Sequence, residues 1–377
     1  MKNSTRFVGL DVHQETIAVA VCEQDGSATS LGTIPNEPDA IARLMRKLGA
    51  PEKLRVCYEA GPCGFVLYWQ LAQLGIHCQV VAPTLIPTRP GDRVKTDRLD
   101  ALKLARALRN DDLTAVFVPD AAHLALRELV RARERALIDQ RRARARLKLM
   151  LLRWGEKPAG KLTPWTQRYL DWVQSLRRDT EAEQYVLSDA IAQVHHQSER
   201  LAGLEAALHV ALEQAPAPLR AVVTALQSLV GVKVLTAATV AVETGGLTRF
   251  DKAPQLFSYA GLVPSEHSSG GPKGQRRGRI TKTGNAHLRR VLLESAWAYS
   301  KPVSSSGPVA KRRRGQDPLV LQMAHKAQSR LRKRYLQLCA KGAPHGQAAT
   351  AVARELLGFM WAIAQRAEQT VSVPEAA

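Results

Sequence analysis

"RFVGLDVHQETIAVAVCEQDG", residues 6–26, decides how the chain begins. It reads as two alternating strands joined by a tight turn, a β-hairpin that opens a sheet. One residue breaks the pattern. Asp11 interrupts an otherwise apolar face, where an unpaired carboxylate is costly. An acid kept in such a place asks for a chemical reason.

Working outward, "KLRVCYEAG" (53–61) reads as another strand, ending on Glu59. "GFVLYWQLAQLG" (64–75) reads as a helix stopped by Gly75, and "HCQVVAPTLIP" (77–87) as a strand stopped by prolines. "KTDRLDALKLARALRN" (95–110) is strongly helical, with Leu99, Leu102, Ala105 and Leu108 in register. Two adjacent strands followed by alternating helix and strand give an α/β domain, closed near Pro119. Asp97 and Asp100, three apart at the start of the last helix, share a face. Strand centre, strand end and helix start are where a ribonuclease-H-like fold gathers acids. Each acid alone is weak, because acids in a first helical turn are also favoured by the macrodipole. Together Asp11, Glu59, Asp97 and Asp100 suit paired divalent cations acting on a phosphodiester.

The charge points the same way. The 377 residues carry 54 Lys and Arg against 34 Asp and Glu, a net of +20 that favours a polyanionic partner. It is unevenly placed. Residues 1–119 hold 14 basic and 13 acidic groups, whereas residues 267–341 hold 18 basic groups against Glu294 and Asp317, a net of +16. The basic stretches are Gly- and Arg-rich rather than amphipathic, which disfavours a membrane surface. Five scattered cysteines without a CxxC pair argue for reduced thiols and against zinc. With no signal core and no run of 18 apolar residues, a cytoplasmic protein is expected.

Strand signals vanish after residue 120. Residues 123–152 and 182–212 read as long helices broken by "WGEKPAGKLTPW" (154–165). Their seams follow heptad-like spacing, as in Val194, Leu201, Leu204 and Leu208, although Arg133 and Gln140 occupy inward positions. A coiled-coil hairpin that brings chains together, or lies along nucleic acid through its Arg-rich face, is one reading, and an ordinary helical bundle is the other. After the Pro/Ala joint "EQAPAPLRA" (213–221), "LQSLVGVKVLTAATVAVETGGLTRF" (226–250) resembles a helix-hairpin-helix, whose turn amides hold a phosphate. The expected division is 1–119, an α/β ribonuclease-H-like domain; 120–215, the coiled-coil or helical segment; 216–345, a mainly α domain; and 346–377, a helical tail.

"SSGGPKGQRRGRITKTGNAHLRR" (268–290) sets two serines against two glycines and seven cations with no acid. By composition it is a solvated loop or a nucleophile held against a phosphate backbone. Serine needs a base or a metal to become nucleophilic, and His267 is the only base candidate beside it. Lys273, Arg276, Arg277, Arg279 and Lys282, with Arg289 and Arg290 just beyond, are the candidate phosphate contacts.

"GLDVHQETIAVAV", "CYEAGPCGF", "RVKTDRLDALKLA" and "GLVPSEHSSGG…GRITKTGNAHLRRVLLESAW" resemble, in order, the motifs of the DEDD transposases of the insertion-sequence one-ten family. The resemblance spans residues 5–110 and 225–300. It implies a RuvC-like domain whose Asp11, Glu59, Asp97 and Asp100 bind Mg²⁺ (or Mn²⁺), and a C-terminal domain whose nucleophile is Ser269, with Ser268 the near miss. It further implies a homo-oligomer, dimer or tetramer, acting on donor and target DNA under guidance of a structured bridge RNA, at the nucleoid. The lack of a clear recognition helix agrees with base pairing as the reader of sequence. Two other functions remain at this point: a RuvC-like Holliday-junction nuclease that uses water, and a non-catalytic nucleic-acid-binding protein.

Overall fold

The computed structural model describes residues 4–87, 96–268, 275–302 and 307–372. The chain forms two compact units, 1–118 and 119–377.

The first unit is built on a five-stranded mixed sheet. Strands β1 (Arg6–Val12), β2 (Thr16–Cys22) and β3 (Ala28–Pro35) run antiparallel, helix α1 (Pro38–Leu48) follows, and β4 (Leu54–Glu59) then pairs parallel with β1. Helix α2 (Val66–Gln73) leads to β5 (His77–Val81), parallel to β4, and the order is β3-β2-β1-β4-β5. Helix α3 (Asp97–Arg109) completes the unit. The alternation of β1 and β4 sorts their side chains onto two faces. Val8, Leu10, Val56 and Tyr58 pack with Ile41, Met45, Leu67 and Leu71 of α1 and α2. On the opposite face Ala18, Ala20 and Cys22 meet Ala101, Leu102 and Ala105 of α3, while Cys57 meets Leu104 and Leu108.

β3 and α1 are additions to the expected pattern. β3 is an edge strand whose residues are all partly or fully exposed, and Gly32 and Pro35 weaken its strand signature.

The second unit opens with α4 (Ala121–Arg153), capped by the Asp120 carboxylate, which accepts a hydrogen bond from His123 N at 2.8 Å. After the short α5 (Gln167–Ser175), α6 (Glu181–Glu213) packs against α4. Leu187, Val194, Leu201 and Leu208 are buried at seven-residue steps along α6. The polar inward positions on α4 are satisfied across the seam: Gln140 Nε2 donates to Ser198 Oγ at 3.1 Å, and Arg133 Nε donates to Glu205 at 2.8 Å.

Beyond the hairpin come α7 (Ala217–Leu226), α8 (Val234–Thr244), α9 (Ala253–Tyr259), the antiparallel pair β6 (Pro264–Ser268) and β7 (Gln275–Ile280), α10 (Ala286–Ala296), α11 (Pro308–Arg313), α12 (Pro318–Ala340) and α13 (His345–Ser372). The segment expected as a helical tail is instead central. α13 packs against α7, α9, α10 and α12, and Ala349, Val352, Ala353, Leu356, Leu357, Met360 and Ile363 are all at most 1% exposed. Its alanines let neighbouring helices approach closely, which makes a core helix look like an Ala-rich appendage in sequence. No described helix is long and apolar enough to cross a membrane.

Candidate functional site: an acidic cluster and a serine-bearing hairpin

Asp11 sits one residue from the end of β1, on the face that receives α3. What brings α3 there is Gly9, two residues earlier on the same face. A Cβ at Gly9 would lie 2.3 Å from the Ala101 carbonyl oxygen and 2.4 Å from the Ala105 nitrogen, so only glycine lets the helix backbone approach so closely. Thr96 caps α3, its Oγ1 accepting from Leu99 N at 3.3 Å, and so fixes Asp97 and Asp100 in the first turn.

The result is a tight group. Ligand atoms of Asp11, His13 and Asp97 all lie within 4.8 Å of one another. His13 Nε2 is 3.4 Å from Asp11 Oδ2 and 3.6 Å from Asp97 Oδ2. The Asp11 carboxyl is held above its ordinary value, first by burial and then by the negative charges of Asp97 and Asp100, with His13 opposing. Glu59 ends β4, in the parallel register that places Leu10 beside Tyr58, and is therefore next to Asp11 on the neighbouring strand. It stands outside the tight group and is exposed.

Sequence reading missed His13. The signal was present, because a residue two beyond Asp11 returns to the same face of an extended segment. Its backbone is pinned as well: His13 N donates to Thr16 O at 2.9 Å, and Asn36 Nδ2 donates to His13 O at 2.8 Å.

In the second unit, Ser268 ends β6, while Ser269 and Lys273 lie outside the described residues. Arg276 and Arg277 fall on β7, opposite His267 and Glu266. Arg279 and Lys282 are exposed. Arg289 and Arg290 are engaged within the fold, Arg289 donating to Ala260 O at 3.0 Å and Arg290 Nε to Glu134 at 2.7 Å.

The root of this hairpin is held firmly. Thr281 N donates to Val263 O at 2.9 Å and Asn285 N to Tyr259 O at 2.8 Å. Gly284, at φ 107°, sits where a Cβ would come 2.2 Å from the Tyr259 carbonyl oxygen. Asn285 caps α10 with its Oδ1 and donates from Nδ2 to Glu243 at 2.7 Å. Glu243, fully buried, also accepts two bonds from Arg131, at 2.8 and 2.9 Å. Glu243 and Asn285 are a second omission of sequence reading; the signal was an acid inside the apolar "VLTAATVAVETGG" (234–246).

A mixed α/β sheet carrying a strand acid against helix acids, followed by a helical second unit, fits a DEDD nuclease-like domain. Residues 8–154 match the family model for the DEDD transposase domain of IS110 elements, and residues 223–307 match the one described as Transposase IS116/IS110/IS902 family. A Sinorhizobium fredii protein named "Putative transposase y4qE" is 42% identical over 369 residues, covering 97% of this chain and 90% of that protein. The transposase for insertion sequence element IS1533 of Leptospira borgpetersenii is 30% identical over 336 residues, 88% of this chain and 96% of its own. The chain belongs to the IS110 family of insertion-sequence transposases and is a DNA transposase.

A DEDD domain implies a divalent metal, and the donor set fits one. Hard carboxylate oxygens converge with an imidazole nitrogen, and the crowding that lifts Asp11 is the crowding a cation relieves.

Proposed function

We propose that this transposase cuts and joins DNA through a serine hydroxyl, assisted by a divalent ion at Asp11, Glu59, Asp97 and Asp100. The convergence of Asp11 and Asp97, set by the close approach of α3 to Gly9, carries the reading. The strand order and directions are those of a ribonuclease-H-like sheet, which supports the RuvC-like assignment. When bound, the ion would supply positive charge for a phosphate oxygen and lower the pKa of a coordinated hydroxyl.

Ser269 is our nucleophile. Its Oγ forms a bond to phosphorus, the bond from phosphorus to a deoxyribose oxygen breaks, and the proton lost from Oγ ends on that sugar oxygen. Lys273, Arg276, Arg277, Arg279 and Lys282 flank the serine and offset the growing negative charge. Arg289 and Arg290 belong to the same basic run, and their internal bonds suit them to holding α10 beneath the hairpin. The α7–α8 turn, with Gly231 partly exposed and Lys233 exposed, is our further candidate for a phosphate contact, in line with its resemblance to a helix-hairpin-helix.

Guidance by an RNA encoded in the element rests on the family resemblance and on a charge excess suited to backbones rather than bases. Association into a dimer or tetramer is supported by exposed Leu149 and Leu152 near the end of α4 and by Tyr185 and Val186 near the start of α6.

The test is trapping. Wild type incubated with cognate DNA, RNA and Mg²⁺ should yield a nucleotide adduct, located at Ser269 by mass spectrometry. Ser269→Ala and Asp11→Asn should each abolish it, while Ser268→Ala keeps it. Strand cutting that survives Ser269→Ala would instead identify a nuclease that uses water.

A further inference from the structure

We propose that His13 Nε2 is a direct ligand of the divalent ion held by Asp11 and Asp97, so that the site takes Mn²⁺ in preference to Mg²⁺. This inference rests on the reading that the acids hold a metal, and it adds a nitrogen donor that the four-carboxylate pattern lacks.

Geometry is the first argument. His13 Nε2 lies 3.4 Å from one carboxylate oxygen and 3.6 Å from the other. A charge-assisted hydrogen bond made for its own sake would be shorter, at about 2.7–2.9 Å. Adjacent ligands of a six-coordinate ion with bonds of ~2.1 Å stand roughly 3 Å apart. His13 Nε2 is thus a few tenths of an ångström from that spacing to both carboxylates, and it stands between them at nearly equal distances, with all three ligand atoms within 4.8 Å of one another.

Preorganisation is the second. His13 lies just past the end of β1, on the same face as Asp11, and both its N–H and its carbonyl are bonded, to Thr16 and Asn36. A ligand on a fixed backbone loses little freedom when it binds. Being 51% exposed, the imidazole is free to rotate by the small amount required.

Chemistry gives the preference. Both ions favour oxygen, but Mg²⁺ dehydrates reluctantly and demands near-ideal all-oxygen geometry, whereas Mn²⁺, a first-row transition metal, takes a nitrogen donor more readily than Mg²⁺ does. An imidazole added to the carboxylates therefore favours Mn²⁺ over Mg²⁺ more than the carboxylates alone would.

The test uses full-length, tag-free protein, Mn²⁺ and Mg²⁺ titrations by calorimetry, and pulsed electron paramagnetic resonance of bound Mn²⁺. Wild type should show nitrogen modulation from a coordinated imidazole. His13→Ala and His13→Asn, each checked for a native circular dichroism spectrum, should lose that modulation. They should bind Mn²⁺ about tenfold or more weakly, with a smaller loss for Mg²⁺. Mn²⁺ that binds wild type without nitrogen modulation, or with affinity unchanged in both variants, overturns the role of His13 and leaves the acids as the metal site. No Mn²⁺ or Mg²⁺ binding that Asp11→Asn abolishes would sink the metal reading itself, and the inference with it.

Discussion

Gly9 and Ala101 touch through their backbones, with a would-be Cβ on Gly9 only 2.3 Å from the Ala101 carbonyl oxygen. That contact sets the height of α3 above β1, and with it the distance from Asp97 to Asp11. Gly9→Ala must therefore lift the helix or bend the strand. Overpacking of this kind costs about 1–3 kcal/mol. The expected outcome is a lower midpoint in urea, together with a Mn²⁺ affinity reduced about tenfold, although no ligand has been altered. Calorimetry that finds wild-type affinity in a destabilised Gly9→Ala protein would separate the packing from the site.

Asp11 gives the opposite pairing of stability and function. Burial, reinforced by Asp97 and Asp100, raises its carboxyl, so the folded chain holds its charge at a disadvantage once the pH exceeds the folded value. Asp11→Asn removes that charge. Without metal, the variant should melt no lower than wild type at pH 7, and the difference should vanish as the pH falls below the ordinary Asp value of 3.8, where both are neutral. With divalent ion at a hundred times its dissociation constant, wild type should gain about 2.7 kcal/mol and the variant nothing. Thermal melts with and without Mn²⁺ read both effects. A variant that melts well below wild type in the absence of metal would contradict the account.

Asp11 stood out in sequence because a carboxylate inside an apolar strand has few structural reasons to be there, and the fold brings Asp97 to it. Glu59 and the Asp97/Asp100 pair were weak one by one and gained meaning from their joint placement at a strand end and a helix start and from the motifs around them. His13 was passed over because a histidine beside a turn looks solvated until the strand's face is known. β3 escaped because an edge strand buries little and shows no apolar alternation. α13 was misjudged because alanine records close packing only when the neighbours are visible. Glu243 shows the same limit: its partners Arg131 and Asn285 are 112 and 42 residues away, beyond any local pattern.

Glu243 leads to an acid-stability prediction. Burial alone would raise its carboxyl, but hydrogen bonds from Arg131 and Asn285, with the charges of Arg131 and Arg127, outweigh it and hold the group below its ordinary value. Such a carboxyl lends stability above the ordinary Glu value of 4.5 and loses it as the pH falls through the lower folded value. Glu243→Gln should cost about 3 kcal/mol at pH 7, the low end for a broken buried pair, because Arg131 is 32% exposed and regains water. The deficit should shrink below pH 4.5. Asp139→Asn, which touches only the partly exposed surface pairs with Arg200 and Arg142, is the control and should stay within about 1 kcal/mol of wild type. A Glu243→Gln deficit that persists unchanged at acid pH would place its origin in packing rather than charge.

The long hairpin makes its own prediction. Gln140 is buried in the seam and donates to Ser198, whose hydroxyl in turn donates to Val194 O at 2.7 Å. Ser198→Ala leaves the Gln140 amide without that acceptor and should destabilise by about 1–3 kcal/mol. Gln140→Leu with Ser198→Ala replaces both partners by apolar groups, and should recover most of that loss or exceed wild type. The double-mutant cycle, read in urea, should give a coupling of at least about 0.5 kcal/mol. Additive single effects would mean that the bond contributes nothing to holding α4 against α6.

Because α13 is a core helix, removing it cannot resemble trimming a tail. Leu356 and Met360 are fully buried one helical turn apart, within the cluster that also holds Leu226, Val242, Leu288 and Leu331. Leu356→Ala should cost about 2–5 kcal/mol, because the tight alanine neighbours leave the cavity little room to collapse. Deletion of residues 345–377 should unfold the second unit outright while sparing the sheet of the first. Hydrogen exchange resolves the two: protection should be lost along α7, α9, α10 and α12, and kept along β1 and β4. Retained protection in α7 and α10 after the deletion would show that this helix follows the fold of its unit rather than forming it.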